Sequence, residues 1–137
     1  MSLEPSLPFE FLVEGIAFSQ QASAHSREIW RETVALAARA ALPEGSWLLP
    51  QALSATVFLF PAASIRGDLD NRVKPILDVM IGHVYRDDAQ IERIVAQKFE
   101  PGRIFKYRTT ALLSRALASP MPVVYIRISD DLNEDLS

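Results

Sequence analysis

The sequence predicts a small single-domain α+β fold, a mixed sheet of about four strands packed by two main helices. Three observations carry this. The chain has 137 residues, enough for one core and too few for two. Short runs rich in Phe, Val and Ile alternate with stretches whose apolar residues recur every three or four positions. Breaks containing Gly and Pro separate them in the order strand, helix, strand, helix, strand, short helix, strand.

Residues 8–18, PFEFLVEGIAF, form the first strand, with Gly15 near its end or at a bulge. A helix follows from about Ser26 to Leu42, with Ser26 as N-cap and Ile29, Trp30, Thr33, Leu36, Ala37 and Ala40 at helical spacing. Pro43-Glu44-Gly45 stops it. Ser54 to Phe60 is apolar on both faces, which predicts a central strand. The second helix runs from near Asp70 to Ile81, capped by Asp68 or Asp70. Pro75 would cost this helix a backbone hydrogen bond unless the first regular turn starts near Arg72.

Gly82 closes that helix, Tyr85 to Asp88 is a turn, and Gln90 to Phe99 is the third strand. Thr109 or Thr110 caps a short helix through Ala118, and Met121 to Ile128 is the last strand. The domain thus fills residues 1–129, and the acidic 130–137 stretch reads as a frayed, solubilising tail.

Composition narrows the function. The apolar fraction of 49% with 23% charged residues is that of a globular chain. No apolar run reaches ~18 residues, so no membrane span is expected, and no signal-like start is visible, which fits a cytoplasmic protein. With no cysteine and two histidines, a metal would be held by oxygen, which favours Mg²⁺, with Mn²⁺ as a substitute. Net charge is −3, but the tail alone holds four acids; over residues 1–129, fourteen bases face thirteen acids. Lys98, Arg103, Lys106 and Arg108 then form a basic stretch suited to phosphates. Phe105 and Tyr107, interleaved with it, suit either packing or contact with bases.

The most informative window is GDLDNRVKPILDVMIGHVYRDDAQIERIVAQK, residues 67–98. Asp68 and Asp70 form one acidic pair, Asp87 and Asp88 another. Each pair alone is ordinary capping or turn chemistry. If the fold brings the pairs together, like charges share a small volume and call for a counter-charge such as a divalent cation. Asn71, Lys74 and Asp78 repeat at i+3 and i+4, a polar stripe on an otherwise apolar helix. Adjacent Asp87 and Asp88 point oppositely in extended chain, so only one is expected to hold a metal; Asp87 reads as the turn residue.

Asp68-Leu-Asp70-Asn71, then Lys74 and Asp78, then Asp87-Asp88-x-Gln90 and Lys98 resemble the RusA-type Holliday junction resolvases. The opening FLVEGIAFS with a following helix and early Trp30 is similar to that family as well. The resemblance runs from about Phe9 to Phe99, and beyond that rests on element order alone. It implies a RusA-like fold and a Mg²⁺-dependent endonuclease of phage or prophage type, which resolves four-way DNA junctions by paired nicks in recombination and repair. It places the metal-binding carboxylates on Asp68, Asp70 and Asp88 and the catalytic lysine on Lys74. It implies a homodimer, as two nicks on opposed strands suit two equivalent sites. Arg72 and Pro75 depart from the family pattern, where apolar or small helix formers are expected. Two other classes fit the residues: a branched-DNA-binding protein with little catalysis, and a metal-dependent phosphohydrolase of a small substrate.

Overall fold

The computed structural model describes residues 5–17, 22–62, 67–101, 110–119 and 121–136. Four strands, β1 (Phe9–Glu14), β2 (Leu53–Phe60), β3 (Ile91–Lys98) and β4 (Val123–Ser129), form one sheet in the order β1-β4-β2-β3. β4 pairs antiparallel with both β1 and β2, whereas β2 and β3 are parallel. Parallel neighbours need a crossover, and α2 (Leu69–Met80) supplies it. α1 (Ala24–Ala41) joins β1 to β2, and the short α3 (Ala111–Ala118) precedes β4. The expected α+β class, mixed sheet and element order are all present.

The central strands explain themselves. β2 and β4 each have neighbours on both sides and are buried along nearly their whole length, as their two-faced apolar sequences require. Leu53, Ala55, Val57 and Leu59 of β2 meet Val124, Ile126 and Ile128 of β4 in the main core, under α1 and α2. Phe58 and Tyr125 point the other way and pack with Phe99 and Leu113 beneath α3. An apolar β4 in the middle of the sheet is core, which removes it as a surface for another subunit.

Several boundaries differ from the sequence expectation. α1 is capped by Ser23, whose Oγ accepts the Ser26 N–H at 3.2 Å, so Ser26 receives the cap instead of providing it. Its buried stripe is Trp30, Val34 and Ala38; Ile29 and Leu36 are 51% and 54% exposed and belong to the outer face. Gly15 follows β1 with φ +131°, and a Cβ there would stand 3.1 Å from the Trp30 ring. Only glycine lets Trp30 close over the strand end.

α2 begins at Leu69, one residue before the expected Asp70 and ahead of the Arg72 start that would have spared the hydrogen bond, so Pro75 is truly internal. It cannot donate to the Asn71 carbonyl, yet the helix is unbroken, because Val73, Pro75, Ile76, Leu77 and Met80 are all buried against the sheet and α1. Arg72, the other departure, reaches away to the first strand's exit, donating from Nη1 to the Ala17 carbonyl at 2.5 Å. At the helix end, the Ile81 N–H turns to Asp78, and the buried Tyr85 hydroxyl donates to the Leu77 carbonyl at 2.5 Å. A last-turn carbonyl thereby gains a partner.

The tail is not frayed. Arg127 of β4 is gripped by Glu134 through Nε and Nη2 and lies 3.3 Å from Glu10 of β1. Glu10 also accepts from the Tyr125 and Thr110 hydroxyls, and Leu136 packs on the second core. A charged residue in a buried strand needs such partners, and here they come from β1 and from the tail. Among the described residues, no helix is long and apolar enough to cross a membrane.

Candidate active site

The first helical turns of α2 carry Asp70, Asn71 and Lys74, and the last carries Asp78. Beside them runs β3, an edge strand whose register slips between its pairing of Ile91 with Leu53 and of Arg93 with Ser54. The slip brings Ile91, Ile94 and Ala96 to one side. Helix and strand enclose an open groove of about 600 Å³. Asp70, Asn71, Lys74, Asp78 and Asp88 line it over an apolar floor that includes Val73, Leu77 and Tyr85. The polar stripe on α2 therefore faces a site. It does not merely meet solvent.

Asp88 arrives by a built turn. Asp87 Oδ1 accepts the Ala89 N–H at 3.0 Å, and Gln90 Oε1 accepts the Arg86 and Asp87 N–H groups at 2.9 and 3.0 Å. This is a reciprocal capping box on the short 3₁₀ turn Asp88–Gln90. The Gln90 amide then donates to the Leu49 and Gln51 carbonyls at 2.7 and 2.9 Å, fastening the turn to the chain entering β2. Asp87 is thus a turn residue and Gln90 a positioning residue. The signal for Gln90 was in its spacing, three positions after a potential cap.

Replacing Gln90 by Ala removes four hydrogen bonds and is expected to cost about 2–6 kcal/mol of stability, from net contributions of about 0.5–1.5 kcal/mol each. Gln90→Glu keeps the acceptor but sets a carboxylate oxygen against the Leu49 and Gln51 carbonyls, so it should cost at least as much. Urea unfolding of the two variants checks the order.

The hydrogen bond from Ala89 holds the Asp87 carboxyl below its ordinary range, aided by its contact with Asp88. The Asp88 carboxyl is raised, first by its hydrogen bond with Asp87 and by that neighbour's charge, while Lys74 opposes the shift. Burial raises the Tyr85 phenol, and the charges of Asp78 and Asp88 add to it. These influences put Lys74, Asp78, Asp88 and Tyr85 in one electrostatic neighbourhood. Lys74 Nζ lies 3.3 Å from Asp78, a pair 58% and 45% exposed. Tyr85 was missed from the sequence, where it read only as part of a turn.

The two acidic pairs do not collapse to a point. Because β2 and β3 are parallel, α2 runs back against them, with Asp70 in its first turn and Asp88 beyond its last. Asp70 to Asp78 alone spans a helical rise of ~12 Å. Among the described residues, no three His, Cys, Asp or Glu side chains form a group able to hold a metal. The carboxylates line one groove, spread along it. Asp68 is not among the residues lining it, but it stands at the N-cap position and makes no cap hydrogen bond, so the helix does not use its carboxylate.

Lys98 lies two residues beyond Ala96, the last groove-lining residue of β3, and its ammonium is 3.3 Å from Glu100. Arg103, Phe105, Lys106, Tyr107 and Arg108 fall outside the described residues. His25 is exposed and His83 half-buried, and neither lines the groove.

The donor set still suits one kind of cation. Mg²⁺ keeps several waters and is commonly held by one or two carboxylates plus substrate phosphate oxygens. Asp68 and Asp70, both exposed and close in sequence, and Asp88 along the groove offer only hard oxygen donors.

Compared with known protein families, residues 17–105 match the model described as endodeoxyribonuclease RusA. The match spans α1, β2, α2 and β3, hence the whole groove, and leaves β1 and β4 outside it. A search of curated proteins gave no match.

Proposed function

Because the chain belongs to the RusA endodeoxyribonuclease family, we propose that it is a Mg²⁺-dependent, structure-selective endonuclease that resolves four-way DNA junctions by paired nicks. The observation that carries this is the convergence of Asp70, Lys74, Asp78 and Asp88 on one open groove within the family's matched segment. The groove is open along its length, and its polar groups are those that phosphodiester hydrolysis needs.

The proposed ligands are Asp68, Asp70 and Asp88. Bound Mg²⁺ would supply charge neutralisation at the scissile phosphate and acidify the attacking water. Lys74 contributes fixed positive charge to a non-bridging phosphate oxygen, which gains negative charge as the water oxygen bonds to phosphorus and gives it up as the bond to the leaving sugar oxygen breaks. Asp78 holds that ammonium over the groove until the phosphate arrives. Tyr85 and the apolar residues of the floor keep the base of the groove dry, which strengthens these contacts. Lys98, with the basic 103–108 stretch, grips flanking phosphates without reading bases. Paired nicks call for a homodimer, with two equivalent sites about a two-fold axis.

A nicking assay with a mobile junction, a fixed junction and linear duplex tests this. Symmetric nicks are expected in the junctions with Mg²⁺ or Mn²⁺, none with Ca²⁺, and little in duplex. The spread of the carboxylates along the groove favours a second reading, a branched-DNA-binding protein with little catalysis. Tight junction binding without cleavage in either metal would select it. Failure to bind any DNA at low salt would point to a small phosphate substrate.

A further inference from the structure

A second hollow, about 400 Å³, lies between α1 and α2 and is lined by Arg27, Arg31, Pro75, Asp78 and Val79. Arg27 and Arg31 are four residues apart and so share one face of α1. The ion pairs among the described residues join Lys74 to Asp78, Lys98 to Glu100, and Arg127 to Glu10 and Glu134; none involves either arginine. Arg27 is half-buried, and its Nε is buried with no hydrogen-bond partner. The one acid in the lining, Asp78, is bonded to Lys74.

A buried guanidinium donor left unmet costs free energy unless something accepts from it. Two uncompensated guanidinium groups on one face suit a phosphate, whose oxygens match their planar donor forks. Asp78 lines both this hollow and the groove, so the two adjoin at that residue. We propose that Arg27 and Arg31 form a subsite for a backbone phosphate flanking the one cut in the groove, on the α1 side of α2. This rests on the reading of the groove as a DNA site. It extends the DNA footprint from α2 and β3 to α1.

Junction binding would be measured by titration in EDTA across a salt series, for wild type, Arg31→Gln, Arg27→Gln/Arg31→Gln and Arg27→Lys/Arg31→Lys, with Arg39→Gln at the other end of α1 as reference. Each phosphate contact adds about 0.9 to the slope of log K against log salt on duplex arms. The slope is expected to fall by about 0.9 in the double Gln variant, which loses the one phosphate contact, by part of that in Arg31→Gln, and to be largely kept in the double Lys variant. Arg31 is exposed, so its single variant reports even if the double one unfolds. Slopes equal to wild type in a folded Arg31→Gln or double Gln variant, or an equal fall in Arg39→Gln, overturn the subsite. Wild type that binds no junction would instead remove the DNA reading itself, and the subsite with it.

Discussion

Asp70→Asn is expected to abolish junction cleavage in Mg²⁺ while leaving the protein folded and junction binding intact. The substitution is nearly isosteric and removes one charge. Asp70 is exposed in the first turn of α2, outside every ion pair found among the described residues. The folded state therefore loses little beyond the favourable interaction of an acid with the helix N-terminus, about 0.3–1 kcal/mol. Catalysis loses much more, because a neutral amide is a poor ligand for a hard cation and leaves the phosphate's developing charge uncompensated. A fall of at least ~10²-fold is expected, the scale seen when one transition-state-stabilising group is removed. Binding in EDTA should be equal or slightly tighter, since a negative charge has left a surface that meets phosphates. Nicking and gel-shift assays on the same preparation separate the two effects. A variant that still cuts at the wild-type rate would remove Asp70 from the reaction.

Much of the fold was legible because local chemistry and packing agree. β2 announced its central place by being apolar on both faces, and the stop signals at Pro43 and Gly82 fall where α1 and α2 end. Thr110, one of two possible caps, accepts the Leu113 N–H at 3.1 Å. The cap of α1 lies at Ser23 and not at Ser26: both are good caps three residues apart, and sequence does not say which hydroxyl accepts the free N–H. The start expected near Asp70 is within one residue of Leu69, and the internal Pro75 is tolerated because burial of its face offsets the lost hydrogen bond. The tail's docking could not be read, since Arg127 calls for acidic partners only once β4 is buried between β1 and β2, where Glu10 and Glu134 meet it.

The groove itself was half legible. Helical spacing placed Asn71, Lys74 and Asp78 on one face, and all three line it. What spacing could not show is distance between the two acidic pairs. That depends on β2 and β3 being parallel, which sends α2 back along the strand, so that Asp70 opens the helix and Asp88 follows its end. Parallel pairing is a tertiary fact, invisible in any single window. The sequence already reads Asp87 as the turn residue; the Gln90 capping box gives the physical reason, by occupying Asp87 and leaving Asp88 on the groove.

Lys74→Gln tests whether the groove does chemistry or only holds DNA. The lysine is exposed and paired with an equally accessible Asp78, a bond worth about 0–1 kcal/mol in such a setting. Losing it should hardly change the melting temperature. If Lys74 meets the transferring phosphate, the variant loses a contact that strengthens only as charge develops, and cleavage at saturating junction falls by ~10²–10³-fold, or about 2.7–4 kcal/mol. If it is an ordinary backbone contact, cleavage at saturation is kept and the salt slope of binding falls by about 0.9. Asp78→Asn supplies the contrast. It breaks the same ion pair but leaves the ammonium in place, so the loss specific to the positive charge is the difference between the two variants. Equal, small effects from both would mean that the pair is a surface ornament of α2 and that the groove's chemistry lies with its carboxylates alone.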